Sequence, residues 1–278
     1  MVEIGKYNEL EVLKKVDFGI YLQAGELEIL MPLKYVPEGT EPGDIIKCFI
    51  YRDSEDRLIA TTLTPFAIVD EYAYLQVKDV NSLGAFLDWG LEKDLLVPFR
   101  EQLQTMEVGR KYIVRVFLDE TSQRIAASAK INKFIQKKDI YLEENDKVDL
   151  LISGVTDMGF NAIINNRYMG LLYNNEVFEN LRTGDRTKGY VKKIREDYKI
   201  DVSLQKSGYE HVSDVKTDVL NVLSQNDGFL ELGDKSSPEE IYRKLKMSKK
   251  AYKKVIGSLF KERLIEITDK GIKLVDKN

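Results

Sequence analysis

The sequence has one cysteine, Cys48, and one histidine, His211, among its 278 residues. A single cysteine excludes an internal disulfide, and these two residues cannot form the Cys and His sets that hold structural zinc. A Ser-His-Asp triad would have to include His211, which lies in the hydrophilic segment SGYEHVSD. The composition therefore argues against zinc-dependent and triad-based enzymes.

Long hydrophobic runs are also missing. No segment approaches the roughly 20 apolar residues that a membrane helix needs, and the N-terminal MVEIGKYNEL lacks the apolar region of a signal peptide. We therefore expect a cytoplasmic location and no membrane partner.

Two features resemble catalytic motifs without meeting their requirements. GFLELGDKS (228–236) is close to the phosphate-binding loop G-x4-G-K-(S/T), but an aspartate separates its second glycine from the lysine. The carboxylate pairs Glu143-Glu144 and Glu239-Glu240 fit turns or helix starts better than acid/base catalysis. We expect no enzymatic activity, no metal and no cofactor.

The net charge is −4, and it is unevenly distributed along the chain. Residues 1–66 have 7 basic and 12 acidic side chains, whereas residues 210–278 have 14 basic and 12 acidic ones. A surface that binds a polyanion is therefore expected toward the C-terminus.

Three related segments recur along the chain: VDFGIYLQAG from Val16, VNSLGAFLDWG from Val80, and VTDMGFNAIINN from Val155. Each has a central glycine, a later Gly-Asp or Gly-Arg turn, and a last strand that starts with a basic residue. The central glycines are Gly19, Gly84 and Gly159, and the last strands read RLIATTL, RIAASAK and KIDVSLQ. The spacing fits complete small domains rather than solenoid units.

Apolar residues alternate within each copy, as in Tyr112, Val114, Val116 and Leu118, which is typical of strands. Five short strands in about 65 residues predict a small barrel, and a glycine in mid-strand fits its sharp bend. The motifs D-F-G-x-Y, G-L-L-Y-x-x-E, G-D and R/K-I-x-x-S resemble the S1-type RNA-binding domain, which has an OB fold.

The tail from Ser213 changes to helical periodicity. We predict a first helix with one apolar face, formed by Val215, Val219, Val222 and Leu223. A second helix should have Ser237 as N-cap and Glu240 completing a capping box. A third helix should begin after Ser248, with Val255, Ile256, Leu259 and Phe260 facing a core, and a hairpin should turn at 269–271. Three helices followed by a hairpin predict a winged helix.

This arrangement resembles the CvfB/YitL family (conserved virulence factor B) over essentially the whole chain. The predicted fold class is multidomain: three small all-β S1-like OB-fold barrels followed by an α/β winged-helix domain. The expected boundaries are 1–65, 66–136, 142–208 and 212–278. The resemblance implies nucleic-acid binding, mainly of RNA, with an effect on gene expression.

OB-type surfaces stack bases on aromatic side chains and neutralise phosphates with basic ones. On the S1 pattern, the first copy keeps Phe18, Tyr21 and Arg57, and the second keeps Phe86 and Arg124. Trp89 is a further candidate for stacking on a base; alternatively, its side chain covers the end of the barrel core. Aromatic side chains in strands belong to the core as often as to a binding face.

The third copy has the densest set of cations beside Tyr173. The candidate RNA-binding residues there are Tyr173, Lys188, Lys192, Lys193, Arg195 and Lys199. The third helix region adds the lysines Lys246, Lys249, Lys250, Lys253 and Lys254. Lysines contact phosphates without distinguishing bases. The alternative for these five lysines is a solvated helix face or a surface that binds another protein.

The leading hypothesis is a regulator that holds single-stranded RNA on the third barrel and winged helix. The acidic first barrel would then be a spacer or a protein contact. One alternative is a DNA-binding winged-helix transcription regulator, and another is a protein-docking module on the ribosome or RNA polymerase. A strong dependence of RNA binding on salt distinguishes the RNA-binding regulator from the docking module.

Overall fold

The computed structural model describes residues 2–177, 180–206, 209–245 and 247–275. The chain divides into two compact units, Met1–Ile135 and Gln136–Asn278. Each unit contains two of the four predicted domains, whose own boundaries stay predictions. No helix within the described ranges is long and apolar enough to cross a membrane.

The first unit begins with a closed barrel whose strand order is β1-β2-β3-β5-β4. Its strands are β1 (Tyr7–Val16), β2 (Gly19–Ala24), β3 (Leu27–Pro32), β4 (Ile45–Arg52) and β5 (Leu58–Thr61). All neighbouring pairs are antiparallel except β3 and β5, which meet in parallel at Leu30 and Ile59. Alternate side chains such as Leu22 and Met31 are fully buried, as the period-two pattern predicted.

The second sheet of this unit repeats the topology but is not closed by hydrogen bonds. Its strands are β6 (Tyr72–Asn81), β7 (Gly84–Asp88), β8 (Leu95–Pro98), β9 (Lys111–Leu118) and β10 (Ile125–Ser128). The order is β10-β9-β6-β7-β8, and the edge strands β8 and β10 lie next to each other. The strand order is therefore that of the first barrel, opened between these two strands.

The two barrels of the first unit share a hydrophobic core. Phe49 and Tyr51 belong to β4, yet their buried side chains join the cluster of the second barrel. The ring of Phe49 lies 5.8 Å from that of Trp89, edge to face, and 6.2 Å from that of Tyr51. Residues on both sides of the predicted boundary at 65/66 thus exclude water together.

The second unit begins with another closed barrel, in the order β11-β12-β13-β15-β14. Its strands are β11 (Lys147–Thr156), β12 (Gly159–Ile164), β13 (Tyr168–Tyr173), β14 (Arg186–Ile194) and β15 (Ile200–Ser203). Here β13 and β15 are paired over three residues, from Gly170–Ile200 to Leu172–Val202.

The repeated glycines explain why all three barrels bend at the same place. A side chain at Gly19, Gly84 or Gly159 would put its Cβ within 2.2 Å of a carbonyl oxygen on the neighbouring strand. Only glycine permits this approach between backbones. The later Gly-Asp or Gly-Arg turns are also equivalent, because each exchanges two backbone hydrogen bonds with the bulged residue of the first strand. Those residues are Val12, Val77 and Ile152.

The chain ends in a winged helix. Its elements are α1 (Tyr209–Gln225), β16 (Phe229–Leu230), α2 (Pro238–Leu245), α3 (Lys249–Lys261), β17 (Ile265–Thr268) and β18 (Gly271–Leu274). The short β16 pairs with β18, so the predicted hairpin is part of a three-stranded sheet in the order β16-β18-β17. The predicted fold class is confirmed: three small barrels followed by an α/β winged helix.

The predicted helix starts are confirmed by their caps. The Ser237 backbone N–H donates to the Glu240 carboxylate at 2.9 Å, and the Glu240 N–H donates to the Ser237 hydroxyl at 3.1 Å. Ser248 caps α3 by accepting from the Ala251 N–H at 3.1 Å. The prediction that Phe260 faces the core is wrong, since its side chain is 53% exposed while Leu259 is fully buried.

Candidate nucleic-acid interface

The fold places the predicted stacking positions of the three barrels on equivalent faces. The residue before each central glycine is 58–63% exposed in every copy: Phe18, Leu83 and Met158. The residue two after the glycine is half-buried on the second strand: Tyr21, Phe86 and Asn161. Only the first barrel therefore has two aromatic side chains at these positions.

In the first barrel the aromatic pair is accessible, but the nearby cation is engaged. The rings of Phe18 and Tyr21 meet edge to face at 6.4 Å. Arg57 donates from Nε and Nη2 to Asp53 at 2.9 and 2.7 Å, and its Nη1 lies 2.8 Å from Glu55. The hydrogen bonds to Asp53 raise the pKa of Arg57. The face can stack a base, while two carboxylates offset its positive charge.

In the second barrel the cation contacts the first barrel. Arg124 donates from Nε to Asp56 at 3.0 Å, within a turn of the first barrel, and this bond raises the pKa of Arg124. Phe86 is half-buried on β7. The predicted cation of the second barrel, Arg124, is therefore engaged in a contact between the two barrels.

The structure corrects the prediction for Trp89. Its side chain is 2% exposed, and the indole Nε1–H donates to the Lys93 carbonyl oxygen at 2.5 Å. The ring packs against Phe49 in the shared core. A base cannot stack on Trp89 without opening that core, so its role is structural.

In the third barrel most predicted cations have an acidic partner. Lys188 pairs with Asp149, Lys192 with Glu176, and Lys199 with Asp197. Lys193 is exposed and makes no ion pair among the residues that the structure describes. Exposed ion pairs of this kind contribute only about 0–1 kcal/mol, so phosphates can replace the carboxylates.

Tyr173, Arg195 and Asp201 form a hydrogen-bonded group on the third barrel. Arg195 donates from Nε and Nη2 to the Asp201 carboxylate at 3.1 and 2.9 Å, and from Nη2 to the Tyr173 hydroxyl. The bonds to Asp201 raise the pKa of Arg195. Asp201 was not predicted from the sequence, although an aspartate between Ile200 and Val202 on a buried strand is unusual enough to mark it.

The winged helix presents lysines on the outside of α3. Lys250, Lys253 and Lys254 are exposed, and Lys249 is half-buried. Lys253 lies 3.1 Å from Asp234, and the other three make no ion pair within the described ranges. Lys246 lies outside the described residues. Because residues three and four apart share a helix face, Lys250 lies beside both Lys253 and Lys254.

A second group of cations, which was not predicted from the sequence, lines a cleft of about 620 Å³ in the winged helix. Arg243 and Lys244 of α2 and Lys270 of the β17–β18 turn lie along it. Glu231, Asp234, Glu240 and Asp269 line the same cleft, so its charge is mixed. The signal in the sequence is the basic last turn of α2.

Comparison with known proteins gives matches to both kinds of domain. An S1 domain matches residues 4–63 and again 71–130, and a CvfB-like winged helix domain matches residues 217–274. The chain is 28% identical over 275 residues to the uncharacterized protein YitL of Bacillus subtilis, covering 92% of this chain and 89% of that protein. It is 25% identical over 244 residues to conserved virulence factor B of Staphylococcus epidermidis, covering 85% and 82%.

Among solved structures, a multidomain protein with nucleic acid binding domains from Streptococcus pneumoniae aligns over 98% of both chains, with 22% identity and a TM-score of 0.42. The two S1 matches fall on the first and second barrels. The winged-helix match begins within α1 and ends with β18.

Proposed function

We propose that this chain, a homologue of YitL and conserved virulence factor B built from S1 domains and a CvfB-like winged helix, regulates gene expression by binding single-stranded RNA. S1 and winged-helix domains are nucleic-acid-binding domains, and the nucleic-acid partner follows from them. The preference for RNA, its placement on the third barrel and winged helix, and the regulatory role are our proposal.

The observation that supports this placement is the state of the cations. Among the predicted basic positions, Arg57 and Arg124 of the first unit are bound to carboxylates, and so are Lys188, Lys192 and Lys199 of the second unit. In the second unit, Lys193, Lys250 and Lys254 are exposed without an ion pair among the described residues. Free ammonium groups can bind phosphates without first losing a partner, so the electrostatic contribution is expected from the second unit.

The side chains also favour a single strand over duplex DNA. OB-type faces hold unpaired bases on flat or apolar side chains, and Phe18 and Met158 are exposed at those positions. The exposed residues at the start of α3 are lysines, whereas readers of the major groove use arginine, asparagine or glutamine there. The winged helix would therefore hold a backbone without selecting its sequence.

The test is fluorescence anisotropy of the full chain with a labelled single-stranded RNA and a duplex DNA of equal length, over a range of salt concentrations. We expect the single-stranded RNA to bind more tightly, with a steep salt dependence. Lys250→Gln/Lys254→Gln should weaken binding and reduce the salt slope by about 0.7 for each phosphate that these lysines no longer neutralise.

The matched control is Lys111→Gln/Lys137→Gln, which removes the same charge from two exposed sites outside both predicted surfaces. An equal effect of the two double variants would show that only net charge matters and would contradict the placement. Tighter binding of duplex DNA would favour the transcription regulator. If neither nucleic acid binds, the remaining hypothesis is a protein-docking module on the ribosome or RNA polymerase.

A further inference from the structure

Arg195 is fixed in place but keeps unused donors. Its Nε and Nη2 make three hydrogen bonds, to Asp201 and to the Tyr173 hydroxyl. Arginine has five N–H donors, and Nη1 makes no hydrogen bond within the described ranges. Nη1 is also not a buried atom, since the side chain is 37% exposed. Two N–H groups of an ordered guanidinium therefore face solvent.

Tyr173 adds a donor beside them. Its hydroxyl oxygen accepts from Arg195 Nη2, so its own proton is available to another acceptor. No hydrogen bond in which this hydroxyl donates occurs among the described residues. The Nη1–H of Arg195 and the O–H of Tyr173 thus form a pair of neighbouring donors.

Among the described residues, the other two barrels have no equivalent of this group. Tyr173 lies opposite Gly159 in the register where the other barrels have Pro32 and Pro98 opposite their glycines. Arg195 occupies the turn position that Asp53 and Asp119 have in the other barrels. In each case the backbone N–H donates to the carbonyl of the basic residue before the last strand, which is Lys199, Arg57 or Arg124. Asp201 pairs with Leu171 as Ile59 pairs with Leu30. In this copy the turn position is basic, an aspartate stands where the first barrel has Ile59, and Lys199 keeps the basic position of Arg57 and Arg124.

The charge balance favours a neutral ligand group over a phosphate. Asp201 is 12% exposed and lies beneath Arg195, so the guanidinium charge is already compensated. Unpaired cations such as Lys193 suit a phosphate better. Asp201 has the half-buried Leu171 as its register partner on one side and the exposed Lys193 on the other. The exposed Met158 is joined to this group through its carbonyl, which accepts from the backbone N–H of the residue after Tyr173. A base that lies on Leu171 and Met158 would present its edge to the two donors, which leaves Lys193 for a neighbouring phosphate.

We propose that Arg195 and Tyr173 read a guanine base on the third barrel, through its N7 and O6 acceptors, with Asp201 as the positioning residue. This inference rests on the proposed binding of single-stranded RNA. Guanine offers two adjacent acceptors on one edge, and arginine at this edge is the commonest specific contact to a base. Adenine replaces one of the acceptors with a donor, and uracil has no two adjacent acceptors. Cytosine has the adjacent acceptors N3 and O2, but its single ring covers less of Leu171 and Met158.

The experiment measures the affinity of the full chain for a labelled oligouridine that contains guanosine at isolated positions, which avoids guanine-rich structures. The same positions are then filled with uridine, adenosine, cytidine or 7-deazaguanosine, which lacks the N7 acceptor. We expect guanosine to be preferred by about five-fold or more over each of the others. Tyr173→Phe, which removes one oxygen, and Arg195→Lys, which keeps the charge, should each abolish this preference while the oligouridine still binds.

Lys193→Gln is the control, since a phosphate contact should weaken all probes alike and leave the preference unchanged. Asp201→Asn should lower the preference for guanosine, because Arg195 would be held less firmly. If Asp201→Asn does not fold, Tyr173→Phe still tests the inference, since it removes one oxygen and should leave the fold intact. Equal affinity for guanosine and 7-deazaguanosine, or a preference for cytidine, would overturn this inference and leave RNA binding intact. Loss of binding to every probe by the unmodified chain would instead refute the proposed function.

Discussion

At the residue scale, three arginines from equivalent regions of the barrels differ in what holds them. Arg57 is bound by carboxylates of its own turn, Arg124 by Asp56 of the neighbouring barrel, and Arg195 by Asp201 of the adjacent strand. Asp201 and Asp53 are both largely buried, at 12% and 16% exposure, but the Arg195 side chain is 37% exposed whereas that of Arg57 is 65% exposed, so Arg195 is the more enclosed of the two arginines. A charge count cannot distinguish these cases, because each arginine has an acidic residue nearby in the sequence.

Trp89 provides the first prediction at this scale. Its side chain fills the core shared by the first two barrels, and removal of a buried indole leaves a large cavity. Trp89→Ala should therefore reduce the free energy of unfolding of the first unit by about 3–5 kcal/mol. Phe18→Ala removes an exposed ring and should change it by less than about 0.5 kcal/mol.

Urea unfolding followed by circular dichroism checks this pair of variants. A small cost for Trp89→Ala would show that the indole is not part of a tightly packed core. In that case the stacking role predicted from the sequence would have to be reconsidered.

The direction of a side chain was the least predictable feature of the candidate site. Strand periodicity predicts which residues share a face of a strand, but not which face is buried. In the first unit both faces of β4 are buried, because Cys48 and Ile50 belong to one core and Phe49 and Tyr51 to the other. Trp89 lies in a loop, where no periodicity applies. Packing between barrels decides both cases, and a single sequence has no signal for it.

At the element scale, the central glycine of each barrel supports a prediction. In the third barrel, the Cβ of Gly159→Ala would lie 2.0 Å from the Leu172 carbonyl oxygen. The β12–β13 pair would have to separate, at a cost of about 1–3 kcal/mol. Gly154→Ala is the matched control, because Gly154 lies on β11 of the same barrel and an added Cβ there meets no atom within 4 Å.

Hydrogen exchange of the β12 and β13 amides measures the effect locally. Protection should fall in Gly159→Ala, and it should stay or rise slightly in Gly154→Ala, since alanine in a strand is favoured over glycine by about 0.5–1 kcal/mol. Similar protection in both variants would mean that the close approach of the strands is not required for the bend.

The capping box of α2 predicts a pH dependence. The N–H and hydroxyl of Ser237 interact with Glu240 and hold the pKa of its carboxyl below the ordinary value. Because the folded pKa lies below the unfolded one, the ionised Glu240 stabilises the helix above its ordinary pKa. This contribution is lost as the pH falls through the folded value.

The measurement is a carboxyl NMR titration of Glu240 together with unfolding at neutral and acidic pH. Ser237→Ala should raise the pKa of Glu240 and cost about 1 kcal/mol of stability at neutral pH. Glu240→Gln should make the stability of the winged helix less sensitive to acid, whereas Glu266→Gln, an exposed change on β17, should not. An unchanged titration in Ser237→Ala would contradict the role of the cap.

Most elements were predictable because local signals determine them. The glycines, the Gly-Asp turns and the serine caps act over a few residues, and the structure has each of them where the sequence placed it. The strand β16 was missed because two residues, Phe229 and Leu230, are too few to show any periodicity. It exists through its pairing with β18, which is a long-range contact.

At the scale of the whole molecule, the four predicted domains are grouped in two compact units. The first two barrels differ from independent domains because the aromatic side chains of β4 complete the core of the second barrel. The sequence repeats predict how many barrels exist. They do not predict which barrels fold together, since that depends on a few side chains outside the repeated motif.

Fragments of the first unit test this grouping, with Cys48 as the reporter. Its thiol is fully buried within the first barrel, and burial raises its pKa to about 11. Since the thiolate is the reactive form, Cys48 in residues 1–135 should react with a disulfide reagent only when the barrel opens. Residues 1–65 alone would expose Phe49 and Tyr51, and each buried aromatic contributes roughly 1.5–3 kcal/mol. The shorter fragment should therefore unfold at lower urea and react much faster in buffer, while both fragments react fully in denaturant. Equal protection of Cys48 in the two fragments would mean that the first barrel is an independent domain and that the shared core adds little to its stability.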